Sequence, residues 1–399
     1  MTPAHGSATQ ITLGYGTTPL PLPPGLTAEV LESPRPTPVP DLERALREAL
    51  ARPIGSARLE DLASPQTRAL VIVSDSSRDE PRAQLYAAVR EALAVVPDDR
   101  ITLAIANGTH GTCPVDSLGL PREVLRRHRI VNHDALDERE MVDIGRTRRG
   151  TRVRVNRCLL ANDLVVSTGR VKPHYFAGYG GGAKGIFPGL GHNDDVRQNH
   201  KLKADPASSL GRADGNPCRE DLEEAVRLID RPAFLLNVAE AGGVVIGAVA
   251  GDLVAAHRKA VESLRPLCEV RSRRADIVVV SAPLPVSGSL YQASKLVPPA
   301  GILLHDGGVV IVAAECPEGT GPLQTVNEAI FELGVRRFLP PHYTLFLVSG
   351  MTRAIVDRTY ARYAPSLEAA LDEARRISPG EPRILVLPDA GDLAPIPAE

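Results

Sequence analysis

ALVIVSDSSRDEPRAQLYAAVREALAVVPDDRITLAIANG, residues 69–108, decides the fold. ALVIVSD (69–75) is a continuous apolar run of strand length that ends in a carboxylate. PRAQLYAAVREALAVV (81–96) repeats apolar residues at helical spacing, and ITLAIANG (101–108) returns to an apolar run. Continuous apolar runs mark strands buried on both faces, and two of them joined through a helix make a parallel pair. The alternation continues outward. PREVLRRH (121–128) reads as a short helix, LVVSTGRV (164–171) as a strand, and further helices follow near 193–203 and 217–229. After Cys268 a second series begins: ADIVVVSAP (275–283) strand, SLYQASKLV (289–297) helix, GILLHDGGVVIVAAE (301–315) strand, VNEAIFELGV (326–335) helix and YTLFLVSG (343–350) strand. ILVLPDAG (384–391) is expected to close that second sheet, and the terminal APIPAE to be a surface tail. The Pro-rich segment 18–40 is expected to run extended before a helix that starts near Asp41. No internal repeat is present. The predicted class is α/β, with two α/β domains of mainly parallel strands. One domain spans 1–270 and the other 271–399, with RSRR (271–274) as linker and the active site in the cleft between domains.

Composition narrows the function. The chain has 399 residues, 43% hydrophobic and 24% charged, which are ordinary globular values. A formal net charge of −2 argues against a nucleic-acid binder that works through bulk electrostatics. No apolar run of membrane-spanning length and no signal peptide are recognisable. The cysteines Cys113, Cys158, Cys218, Cys268 and Cys316 are scattered, odd in number and never paired as CxxC. That pattern fits a reducing cytoplasm and speaks against a structural zinc site. Trp is absent and aromatics are few, so stacking platforms are not available.

Polar residues fall where parallel sheets put function. Asp75 and Arg78 follow one strand, Asn107 and His110 the next, and Lys172 and His174 a third. The crevice outside the carboxyl ends of such strands is the usual ligand site. Taken singly, each of these residues has an ordinary explanation as a turn or cap; three successive strands delivering them to one edge is harder to explain that way.

STGRVKPHYFAGYGGGAKGIFPGLGHNDDVRQNH, residues 167–200, is the densest chemical segment. Only six of the 46 cationic residues are lysines, and four of those, Lys172, Lys184, Lys201 and Lys203, lie between 172 and 203. Biased codon usage accounts for the scarcity but not for the clustering. An amine can lose its proton and bond to a carbonyl or thiocarbonyl carbon, which a guanidinium cannot do. Lys184 in GYGGGAKG (178–185) is therefore a candidate covalent or phosphate-binding group. The loop fails the Walker pattern, because Gly185 stands where a Ser or Thr must follow the Lys, so an ATPase is disfavoured. A loop that cradles one phosphate through Gly180, Gly181 and Gly182, with Lys184 reaching the attached ring, suits it better. His110 and His174 titrate in the neutral range and could flank one substrate on opposite faces, as a racemase or epimerase requires. His192 reads as a helix-start residue. His200, alone, would be a single metal ligand, so its companions would have to come from elsewhere. Gln292 and Lys295 lie three apart on a helix and suit a carboxylate, as does a bidentate clamp from Arg78.

DSSR (75–78), NGTHG (107–111), KPHYFAGYGGGAKGIFPG (172–189), the spacing to His200 and YQASK (291–295) resemble, jointly and in order, the lactate racemase family of nickel-pincer 2-hydroxyacid racemases and epimerases. The resemblance implies a pyridinium-3,5-bisthiocarboxylic acid mononucleotide with Ni(II), attached through a thioamide to Lys184. It implies His200 as the protein's nickel ligand, and His110 and His174 as the acid/base pair. Arg78, Gln292 and Lys295 would bind the substrate carboxylate or hydroxyl, Asp75 would support the site, and Gly180, Gly181 and Gly182 would hold the nucleotide phosphate. Two sulfurs and a ring carbon with one imidazole suit Ni(II). The implied reaction removes the α-hydrogen of a 2-hydroxy acid as hydride and returns it to the other face. Cofactor-biosynthesis enzymes are implied partners, and a cytoplasmic location is expected. Tyr179, Gly180 and Ala183 depart from the lactate enzyme's loop, so the resemblance names a substrate class and not its member. The competing expectation, from another class, is a non-catalytic protein that binds a nucleotide or organic acid in the same cleft.

Overall fold

The structure, a computed structural model, describes residues 11–321, 336–359 and 361–398. The expected helix at 326–335 lies outside the described residues. Backbone contacts divide the chain into two compact units, Arg35–Leu267 and a second that joins Met1–Pro34 to Cys268–Glu399. The sequence expectation ran the first domain from residue 1 to 270. The strand Glu29–Val30 explains the difference, because it pairs in parallel with Ile384–Leu387 of the second unit.

The Arg35–Leu267 unit is built on six strands in the order Val244–Gly251, Ala233–Ala241, Leu164–Val171, Ala69–Ser74, Ile101–Ala106 and Arg129–Asn132. All neighbours are parallel except the outermost hairpin. Ala69 to Val73 are all buried, as a run without alternation requires. The helix Arg82–Ala92 buries Leu85, Tyr86, Ala88 and Val89, the one-sided spacing of a helix on a sheet. These side chains join Val71, Val73, Leu103 and Ile105 in one core. Each fully buried Leu or Val there contributes about 1.5–3 kcal/mol relative to exposure. The helix beginning near Asp41 is present as Leu42–Ala51, with the Asp41 carboxylate accepting from Arg44 N at 2.9 Å. The antiparallel hairpin Ala233–Ala241/Val244–Gly251 was not expected. Its turn is Gly242–Gly243, both at positive φ (54° and 74°), the conformation a two-residue hairpin turn needs.

The strand order of this sheet reverses between Ala69–Ser74 and Leu164–Val171. From Ala69–Ser74 the chain proceeds outward to Ile101–Ala106 and Arg129–Asn132; it then returns to Leu164–Val171 on the other side. The loops leaving the carboxyl ends of these two strands are where such sheets place their ligands. They are the loops that carry Asp75, Arg78, His174 and Lys184.

The second unit's sheet has the order Arg362–Ala364, Thr344–Val348, Leu304–Ala313, Ala275–Ser281, Ile384–Leu387 and Glu29–Val30, all parallel. Val278 and Val280 pack on one face and Ile277 and Val279 on the other, so both faces are cores. Ile384–Leu387 is an inner strand and does not close the sheet; Glu29–Val30 stands outside it. The expected tail and the first half of the expected linker are also strands. Glu269–Ser272 pairs in parallel with Ala394–Pro397, and Ala394 and Pro395 are buried. Here main-chain pairing overrides the Pro-rich, charged local composition. The expected helix at 289–297 is broken into Leu290–Ala293, a single tight turn Ser294–Leu296, and Val297–Ile302. Pro298 and Pro299 fall in the first turn of the last piece, where a missing N–H is tolerated. All five cysteines are free thiols. Among the described residues no helix is long and apolar enough to cross a membrane.

Candidate active site

Asp75 begins the turn that leaves the strand Ala69–Ser74. Its Oδ1 accepts the backbone N–H of Ser77 at 2.8 Å and the Ser77 hydroxyl. Arg82, buried, holds this turn from below: Nε donates to Ser74 O at 3.0 Å, and Nη2 to the carbonyls of Asp75 and Arg78. The other carboxylate oxygen, Oδ2, lies 2.9 Å from His110 Nδ1. A carboxylate only accepts, so Nδ1 carries a proton, and in the neutral ring the lone pair is left on Nε2. Burial alone would raise the Asp75 carboxyl. The hydrogen bond from His110, the Arg78 charge and Ser77 outweigh it and hold Asp75 well below the usual carboxylate range. Asp75 therefore remains an anion behind the His110 ring, the orienting arrangement of acid–base dyads. The His110 loop is fixed by Asn107, whose Nδ2 donates to Asn132 Oδ1 at 2.8 Å and His133 O at 2.6 Å.

The second group surrounds Phe176. His174 sits in a two-residue strand paired with Gly178–Tyr179. Its Nδ1 accepts from Ala177 N at 3.2 Å, and its Nε2 lies 2.9 Å from Lys184 Nζ. With Nδ1 accepting, a neutral ring carries its proton on Nε2 and donates it to a free amine. A protonated Lys184 can donate to Nε2 only if Ala177 N–H gives up Nδ1. The Phe176 ring is 4.7 Å from the His174 ring, 4.8 Å from the His200 ring and 5.5 Å from Lys184 Nζ. His200 lies in the last turn of Asn193–Lys201, a helix capped by His192, which accepts from Asp194 N at 3.2 Å. Burial pushes His200 down to about 3, and the charges of Lys184, Lys203 and His110 push the same way. It is thus a neutral imidazole at every ordinary pH, the form a metal requires. The Phe176 ring thus gathers Lys184, His174 and His200, and the His110 loop adjoins the Lys184 loop. The 2.9 Å bond from Gly108 N to Gly189 O joins the two loops directly.

The glycine loop is packed and not slack. Arg219, fully buried, donates to three of its carbonyls: Ala177 O from Nε at 3.2 Å, Gly181 O from Nη1 at 3.2 Å, and Tyr179 O from Nη2. Buried His257 takes a fourth, Gly180 O, at 2.8 Å. Burial and the neighbouring Arg219 charge push His257 well below its ordinary value, so it is a neutral donor. The N–H of Gly180 donates to Lys172 O at 2.7 Å and that of Gly182 to Asn237 Oδ1 at 2.9 Å. Two of the three amides expected to face a phosphate are thus engaged inside the protein. The glycines have a steric reason instead. A Cβ on Gly181 would stand 2.7 Å from Arg170 O, one on Gly182 2.9 Å from the His257 ring, and one on Gly185 2.4 Å from Ser167 Oγ. Arg82, Arg219, Asn237 and His257 are positioning residues that sequence reasoning missed. Buried arginines carry no local signature in a chain with forty of them.

Gln292 and Lys295 belong to the second unit, on the segment after the strand Ala275–Ser281, beside that sheet's own reversal of strand order. Ser289 caps the short helix, and Lys295 Nζ donates to Gln292 Oε1, so the two side chains share a face as expected.

Known proteins resemble this chain. The lactate racemase N-terminal domain family matches residues 13–211. The lactate racemase of Thermoanaerobacterium thermosaccharolyticum is 28% identical over 379 residues, 87% of this chain and 89% of that protein. The lactate racemase of Lactiplantibacillus plantarum is 26% identical, with the same coverage. The structure of the lactate racemase apoprotein from Thermoanaerobacterium thermosaccharolyticum superposes with a TM-score of 0.87 at 25% identity, covering 97% of this chain and 100% of that one. A protein from Thermotoga maritima shares the fold, with a TM-score of 0.65 at 17% identity over 91% of this chain and 100% of that one.

Proposed function

The chain belongs to the lactate racemase family, and on that premise we propose that it racemises or epimerises a 2-hydroxy acid with a nickel-pincer nucleotide tethered to Lys184. One observation carries the reading. A carboxylate-backed imidazole (Asp75–His110) and an amine–imidazole contact (Lys184–His174) stand on loops bonded to one another, and the Phe176 ring packs against both His174 and the buried His200. The residues fit the implied group. Among the described residues no three His, Cys, Asp or Glu side chains are gathered as a metal site. A metal at His200 therefore needs its other ligands from a bound organic molecule, and Lys184 offers the amine to anchor one. Lys184 would hold the group covalently and His200 its nickel. When bound, it supplies a hydride acceptor and donor for the substrate's α carbon.

The chain's own residues do the rest. Arg78 presents a planar cation to the substrate carboxylate. His110 Nε2 takes the hydroxyl proton, and the Asp75 anion stabilises the imidazolium that results. His174 serves the enantiomer that presents its hydroxyl to the other side. Gln292 and Lys295, an amide and an ammonium side by side on the second unit, suit a carboxylate. Enzymes that build the nucleotide must act first, as cytoplasmic partners. Protein co-expressed with such enzymes should carry nickel and a covalent nucleotide-sized adduct on the peptide containing Lys184. Lys184→Arg keeps the charge but cannot form a thioamide, so it should carry no adduct. An adduct persisting in Lys184→Arg would overturn the proposal.

A further inference from the structure

We infer that Asn199, held by Asp221, sets the ring tautomer of His200, keeping Nδ1 protonated and leaving Nε2 bare for a metal. The inference rests on the reading of His200 as the nickel ligand. Its argument is a chain of hydrogen-bond directions that starts from groups with no choice.

Asp221 is fully buried on the helix Pro217–Arg227. Its Oδ1 accepts from the Thr147 hydroxyl and its Oδ2 from the Thr151 hydroxyl at 2.7 Å. Thr147 Oγ1 also accepts Thr151 N–H at 3.1 Å, which directs its own proton to Asp221. Asp221 Oδ2 further accepts from Asn199 Nδ2 at 2.9 Å, and the Cys218 carbonyl accepts from the same nitrogen at 3.2 Å. A carboxylate and a carbonyl are acceptors only, so both demand the NH₂ end of the Asn199 amide. The amide orientation is thereby decided by its partners, as an amide assignment should be. Its Oδ1 faces the other way, where the Cys218 thiol donates to it at 3.3 Å and His200 Nδ1 lies 3.3 Å away. An amide oxygen accepts only, so His200 Nδ1 must carry the proton. In the neutral ring Nε2 then holds the lone pair. The Val196 carbonyl, one turn back, also bonds the ring. Asn199 is fully buried, so the brace does not exchange with solvent. Outer partners of this type orient ligating histidines and tune their basicity.

The helix that carries Asp221 also carries Arg219, which fixes the Lys184 loop. A single element thus references both the tether and the ligand to one frame.

The test is tautomer-resolved spectroscopy on protein labelled with ¹⁵N-histidine, with the His200 signals assigned through His200→Gln. Long-range proton–nitrogen correlations separate a protonated ring nitrogen from a bare one without any cofactor bound. Wild-type His200 should show protonated Nδ1 and bare Nε2 throughout the neutral range. Asn199→Leu removes the acceptor, and the Nε2-protonated form should appear. Thr151→Val is a milder variant that weakens Asp221 without touching Asn199, and should shift the population in the same direction by less. In loaded protein, Asn199→Leu should lose nickel to a chelator ~10–100-fold faster than wild type. A wild-type His200 protonated on Nε2 would overturn the inference. So would an unchanged tautomer in Asn199→Leu, which would show that the Val196 carbonyl suffices. If the tautomer is as stated but loaded protein holds no nickel, the proposed function fails and the tautomer assignment stands.

Discussion

Lys184 Nζ lies 2.9 Å from His174 Nε2, so the proposed tether and one half of the proposed acid–base pair are in direct contact. His110 has no such contact; its partner is Asp75. The two histidines should therefore fail differently when replaced. His110→Ala and His174→Ala should each lose ~10²–10⁴-fold in turnover, in both directions equally, because a catalyst cannot change the equilibrium between enantiomers. His174→Ala alone should also slow the appearance of the Lys184 adduct, since it removes the imidazole that holds the amine in place. Adduct mass followed against time, alongside racemisation, separates the two. Equal loading rates in both variants would remove His174 from the tethering step.

Asp75 makes a pH prediction. Its folded-state carboxyl is held well below the usual range, so the stability it contributes is fully present above the unfolded value of ~3.9 and is lost as pH falls through the lower folded value. The stability difference between wild type and Asp75→Asn, measured by urea unfolding, should be flat near neutrality and shrink only in acid. A difference that instead grows towards acid would contradict the assignment. Asp75→Asn should also cripple turnover with little effect on the Lys184 adduct, because it acts on His110.

The glycine loop predicts a stability order. Gly182 has φ +64° and a Cβ there meets the His257 ring at 2.9 Å; Gly111 has φ +80° and meets nothing within 4 Å. Gly111→Ala should cost ~1–2 kcal/mol for the backbone alone. Gly182→Ala should add ~1–3 kcal/mol of overpacking. Thermal melts that rank the two equally would show that the loop has room to yield.

Arg219 supports the same loop by charge. Burial brings it down to about 10, still a cation at neutral pH, with Glu223 as its carboxylate at 3.8 Å. Arg219→Ala strands three carbonyls and should cost about 3–5 kcal/mol, read as a lowered urea midpoint. The folded fraction should also load Lys184 poorly. Normal loading by that variant would show that the loop holds itself.

Much of this was legible in the chain. Residues 69–108 display their strands and helix because those strands are buried on both faces, and burial writes itself as uninterrupted apolar runs. Asp75, His110 and His174 were legible because turns at strand ends expose polar residues to one edge. Their pairings were not: His110 lies 35 residues from Asp75, and only the parallel register between Ala69–Ser74 and Ile101–Ala106 brings their loops together. The internal partners of Gly180 and Gly182 were hidden for a related reason. A glycine run looks the same whether its amides face a ligand or, as here, Lys172 and Asn237. Ala394–Pro397 looked like a tail because its pairing with Glu269–Ser272 depends on residues far away in sequence.

The central claim is that hydrogen leaves and returns to the same α carbon without passing through water. Loaded protein should be given α-deuterated lactate in ordinary water, and the racemised product weighed. The account predicts racemisation with deuterium retained on the α carbon. Racemised product with the label completely washed out would contradict it, because a proton carried by His110 or His174 exchanges quickly with solvent.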